Sequence, residues 1–144
     1  TFGCENFKMY EMEFITNASE KKKPIVGLEK VSEQFEYLSK SFNDDEMLSY
    51  LEKNNKELAT KLVSIYLNED INALYQFTTD KEMMTENSTN WMLRYRNENW
   101  IKKMPEMMKK ESVFFAIGAA HLAGDIGVIR LLRKAGYTVK PIVE

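Results

Sequence analysis

Two short segments place a polar side chain at the end of an apolar run. Gly27-Leu28-Glu29 sets a carboxylate after Ile25-Val26, and Gly118-Ala119-Ala120-His121 sets an imidazole after Ser112 to Ile117. Both runs read as strands, and ligand sites in α/β sheets gather beyond the carboxyl ends of strands, where loops meet helix N-termini. If those strands are neighbours, Glu29 and His121 converge. Such a pair can ligate a metal ion, or serve as a general base and the group that orients it. Arg94, Arg96 and Asn97 precede a helix face able to point at the same cleft, where an arginine clamps a carboxylate or phosphate through paired hydrogen bonds. On spacing alone the plainer alternatives carry more weight. Glu29 would then be an N-cap or ion-pair partner for the next helix, His121 a hydrogen-bonded structural residue, and the arginines a solvated helix face.

Composition bounds these readings. The chain has 144 residues with a single histidine and a single cysteine, so no multi-histidine metal cage can form within one chain and Cys4 closes no intrachain disulfide. A site using two copies of His121 would require a homodimer with one ion per two chains. Lys+Arg 20 against Asp+Glu 22, a net charge of -2, leaves no basic footprint for nucleic acid. No apolar run reaches the roughly 18 to 20 residues of a membrane span. The 29% charged and 12% aromatic residues fit one folded domain, residues 1–144. Gly118, Gly124 and Gly127 match neither phosphate-cradling glycine motif, which argues against nucleotide binding. The nine methionines are expected to fill core gaps or to line an adaptable apolar groove.

The elements that must position these groups follow from periodicity. Phe7, Tyr10, Met12 and Phe14 suit a short helix within Phe2 to Ser19, which Lys23-Pro24 interrupts. Ile25 to Leu28 reads as a buried strand. Val31, Phe35 and Leu38 begin a helix, and Ser41-Phe42-Asn43-Asp44 a turn with an N-cap before Met47, Leu48 and Leu51. Leu58 to Tyr66 and Ile71 to Tyr75 continue the helical pattern. Trp91 to Met104 forms another helix, which Pro105 is expected to kink or restart. Ser112 to Gly118 has the near-continuous apolar pattern of a strand covered on both faces. Asp125 is the predicted cap of a helix over Ile126 to Ala135, Gly136 its left-handed terminator, and Tyr137 to Val143 a closing strand. Together these predict a helix-rich α/β fold: a small mixed or parallel sheet with a C-terminal right-handed βαβ unit.

The stretch from Ser112 through Val139, Ser-Val-Phe-Phe-Ala-Ile-Gly-Ala-Ala-His-Leu-Ala-Gly-Asp-Ile-Gly-Val-Ile-Arg-Leu-Leu-Arg-Lys-Ala-Gly-Tyr-Thr-Val, resembles the closing signature of the TraB/GumN family, whose relatives include the Tiki proteins. Arg96-Asn97-x-x-Trp100 and Gly27-Leu28-Glu29-x-x-x-x-Gln34 resemble two further blocks of that family, in its order. The resemblance implies an α/β domain in secreted, periplasmic or membrane-anchored proteins. In the Tiki branch it implies a metal-dependent peptidase with two G-x-x-H motifs and an acidic residue at its centre. The second G-x-x-H corresponds to Gly118 to His121, the acidic residue to Glu29, and the arginine block to Arg96. The resemblance thus implies catalytic roles for Glu29, Arg96 and His121, with His121 and Glu29 as ligands of a divalent metal. The first G-x-x-H has no counterpart here. With Thr1 at the start, the expectation is a domain truncated at its N-terminus, binding metal weakly at most, with an open sheet edge prone to association. Two functions compete: a metal-dependent, peptidase-like hydrolase outside the cytoplasm, and a non-catalytic extracytoplasmic module binding a peptide or small ligand in a Met-lined groove.

Overall fold

The structure, a computed structural model, describes residues 8–53 and 56–142. Phe2 to Phe7 of the expected first helix, Cys4 and Val143 lie outside the described residues. The elements are α1 (Tyr10–Glu20), α2 (Val31–Ser41), α3 (Asp44–Lys53), α4 (Lys56–Leu67), α5 (Ile71–Thr78), α6 (Glu86–Thr89), α7 (Tyr95–Met108) and α8 (Val128–Lys134). A π turn at Asn90–Arg94 joins α6 to α7, and a 3₁₀ turn covers Ala119–His121.

Local chemistry explains four of the helix ends. Asn43 and Glu46 cap α3 reciprocally: Glu46 N donates to Asn43 Oδ1 at 2.9 Å and Asn43 N to Glu46 Oε2 at 2.9 Å. Asp70 Oδ1 accepts from the amides of Asn72 and Ala73 and starts α5. The Asn87 side chain donates to the carbonyls of Lys40 and Ser41, so it both satisfies the end of α2 and ties it to α6. Gly136, at φ 91°, ends α8 as expected, with Tyr137 N bonded to Leu132 O and Gly136 N to Arg133 O, the paired bonds of a Schellman motif.

The α/β expectation is overturned: among the described residues there is no strand and no sheet, so neither the βαβ unit nor an exposed sheet edge exists there. The apolar run 112–118 is extended but covered on one side only. Phe115 and Ile117 pack into the core while Phe114 is 76% exposed. Likewise Ile25 and Val26 are exposed and only Leu28 reaches the core. The segment 112–118 thus alternates in burial as a strand would, 25–28 does not, and among the described residues neither forms a backbone ladder. Two smaller corrections accompany this one. Of the two outcomes expected at Pro105, a kink or a restart, the restart does not occur, since α7 runs through it to Met108, and α8 begins after Gly127, leaving Asp125 exposed in an ion pair with Arg130.

The core that remains is a wedge of Trp100, Met104 and Val128 between α7 and α8, closed by Leu28, Ile101, Phe115, Ile117 and Leu132. Met104 is only 2% exposed, which places it among the gap-filling methionines. Beside this wedge, α5 packs on the 3₁₀ turn. The loop after that turn approaches α5 so closely at Gly124 that a Cβ there would lie 2.4 Å from the Tyr75 ring, and Gly124 has φ +77°. Gly124→Ala is therefore expected to cost on the order of 3 kcal/mol, combining backbone strain with overpacking. Gly136→Ala, where a Cβ would meet nothing within 4 Å, should carry only the backbone share, about 1 kcal/mol. Urea denaturation midpoints of the two variants check the difference; equal losses would refute it.

Candidate functional site

The π turn adds a residue to its helical turn and so re-aims the face that follows it. Arg94 is left outside, bonded to Asn90 Oδ1, whereas Arg96, Trp100 and Lys103 recur at i, i+4 and i+7 along one side of α7. That side grips the segment carrying Glu29. Lys103 Nζ donates to the Leu28 carbonyl at 2.6 Å. Arg96 Nη2 donates to Glu29 Oε1 at 2.6 Å, and Arg96 Nε sits 3.2 Å from both carboxylate oxygens. Trp100 Nε1 donates to Glu29 Oε2 at 3.1 Å. The pair is largely removed from water, with Glu29 8% and Arg96 17% exposed at the side chain.

The His121 ring packs against Trp100, with ring centroids 4.6 Å apart. The Arg96 guanidinium lies over the same indole at 5.2 Å. His121 is 8% exposed, and its Nδ1 is 2.6 Å from Asn97 Oδ1. Asn97 is 1% exposed, and its Nδ2 donates to the carbonyls of His121 and Ile126 at 3.3 and 2.7 Å. Burial lowers the His121 pKa to about 3, with the positive charge of Arg96 as the lesser cause. The imidazole is therefore neutral at neutral pH. Among the described residues no fully buried side-chain nitrogen or oxygen lacks a partner, so the unbonded Nε2 keeps some contact with solvent.

Glu29, Arg96 and His121 thus gather around Trp100, although no hydrogen bond joins Glu29 to His121. Arg94 stays out. Trp100, Lys103 and the full part of Asn97 are what the sequence reading missed; the i, i+4, i+7 spacing sets Trp100 and Lys103 on the Arg96 side of α7 but says nothing of what that side meets, and Asn97 stands outside it.

As a metal site the set is incomplete. The described residues contain no group of three or more His, Cys, Asp or Glu side chains arranged to bind an ion. His121 fits as a donor: it is neutral, oriented and has one free ring nitrogen. Glu29 does not fit, because both its oxygens face a guanidinium or an indole N–H. No helix among the described residues is long and apolar enough to cross a membrane.

No curated protein matches the chain, and no solved structure does. The sequence model of the TraB/PrgY/gumN family, in contrast, matches residues 2–141, which takes in Glu29, Arg96, Trp100 and His121 together. The chain belongs to the TraB/PrgY/gumN family.

Proposed function

We propose that this chain contributes part of the reaction centre of a metal-dependent, peptidase-like hydrolase that works outside the cytoplasm, with His121 as the residue acting at that centre. The observation that carries the reading is the neutral, buried imidazole, packed on Trp100 and held by Asn97, with Nε2 unbonded. A divalent ion at such a centre lowers the pKa of a water molecule and polarises a carbonyl. His121 supplies one donor, and in the functional protein the others come from outside the described residues. Glu29 does not act on the substrate; it neutralises Arg96 and orients Trp100 against the imidazole.

The test uses the longest natural form of the protein, titrated with zinc, manganese and cobalt and assayed on a peptide library. His121→Ala should weaken metal binding by more than the 10- to 100-fold that loss of an outer hydrogen-bond partner brings, and should abolish cleavage. Glu29→Gln should leave metal binding within a few-fold. Unchanged metal affinity and cleavage in His121→Ala would overturn the proposal.

A second reading, a non-catalytic binding module, draws on a cleft of about 410 Å³ between α4, α5 and the 3₁₀ turn. Ile65, Leu67, Ile71 and Leu74 give it apolar walls, Glu69 and Asp70 a negative rim, and Ala119 brings it within two residues of His121. It is partly open to solvent, with Tyr10 of α1 on its edge. No methionine lines it, which departs from the expected Met-lined groove. A ligand bound equally by the wild type and by a His121→Ala/Glu29→Gln variant, with no turnover, would favour this reading.

A further inference from the structure

We infer that Asn97 is a positioning residue that fixes which nitrogen of His121 carries the proton, making Nε2 the atom the site presents. This deepens the proposed role of His121 and rests on that reading for its functional consequence, but not for its structural content.

A carboxamide has one acceptor oxygen and one donor nitrogen. The Asn97 nitrogen donates to two backbone carbonyls, His121 O and Ile126 O, which can only accept. Flipping the amide would turn its oxygen toward both of them, so the orientation is set by its surroundings. The oxygen then faces His121 Nδ1 at 2.6 Å. Because an amide oxygen cannot donate, Nδ1 must bear the hydrogen, and in the neutral ring the lone pair is on Nε2. At 1% exposure Asn97 has no water competing for these bonds. One side chain therefore holds both the backbone carbonyl and the ring of the same histidine, and position and tautomer are set together. Trp100, packed on the ring from the side, restricts its rotation.

His121 is the only histidine in the chain, so protein labelled with nitrogen-15 histidine gives a single, unambiguous imidazole spin system. In the wild type at neutral pH, without added metal, the expected result is a pure Nδ1–H ring, with Nε2 in the pyridine-type range. A pure Nε2–H ring, or an even mixture, would overturn the inference, and this measurement needs no variant. In Asn97→Ala the pure pattern should give way to a mixture of tautomers. Its persistence in the folded variant would show that something other than Asn97 selects the tautomer, which also overturns the inference. The outcome is separate from that of the functional proposal: a pure Nδ1–H ring in a protein that neither binds metal nor cleaves peptides would uphold this inference and sink only the hydrolase reading.

Discussion

Glu29→Ala is expected to lower the stability of the protein by roughly 3 to 5 kcal/mol, the cost of breaking a buried ion pair by removing one partner. Glu29 is 8% and Arg96 17% exposed at the side chain, so screening by solvent does little to soften the loss. Without the carboxylate, the guanidinium of Arg96 keeps one hydrogen bond, to the Met92 carbonyl at 3.3 Å, beside its contact over the Trp100 indole, and Trp100 Nε1 loses its acceptor. Glu29→Gln retains an acceptor for the indole and should fall between wild type and alanine. The informative variant is the double replacement Glu29→Leu/Arg96→Met, which removes the unpaired charge along with its partner. A buried pair exchanged for apolar groups of similar volume is often close to neutral, so the double variant should be clearly more stable than Glu29→Ala. Urea denaturation of the three variants measures this. If Glu29→Ala unfolds at the wild-type midpoint, or if the double variant is no more stable than the single one, the ion pair does not hold the site together as described.

This outcome bears on how much of the site could be read from the sequence. The plainer reading of Glu29, an ion-pair partner, holds in kind but not in place: its partner is on α7, 67 residues away, and not on the helix that follows it. Helix signals were legible because they are local. The 41–44 cluster and Gly136 act within a few residues, with Asn43 starting α3 and Gly136 ending α8, although Asp125, an equally local signal, does not cap α8. The sheet was misread for a physical reason. The near-continuous apolar run 112–118 was read as covered on both faces, whereas only Phe115 and Ile117 face the core and Phe114 is exposed. Ladder pairing, however, is made by backbone groups that leave no mark on side-chain pattern. The same limit hid Trp100 and Asn97. Their partners, Glu29 and His121, lie 71 and 24 residues away, so only the family blocks, and not any local period, hinted that they meet. What the single histidine excluded, a multi-histidine cage within the chain, is unchanged, and Glu29 is engaged by Arg96 and Trp100.

The buried imidazole also predicts a loss of stability in mild acid. In the fold His121 has its pKa lowered to about 3 from the ordinary 6.5, first by burial and then by Arg96. A base with a lowered folded-state pKa is neutral in the fold while the unfolded chain binds a proton, so between the two values the unfolded state holds more protons. Stability from this residue is therefore complete above about pH 6.5, falls as the pH drops through the window, and stops changing below about pH 3. The slope is about 1.4 kcal/mol per pH unit, so some 2 kcal/mol should be lost between pH 7 and pH 5. Carboxylates add their own changes toward the acid end, which makes the difference between wild type and His121→Gln the quantity to measure. No other histidine titrates in this range, so denaturation free energies of the two proteins should diverge by that amount as the pH is raised from 5 to 7. Parallel profiles would mean that His121 meets water freely in the fold. In that case neither the neutrality that suits it to metal binding nor the dry contact with Asn97 would stand, because both depend on the burial that makes protonation costly.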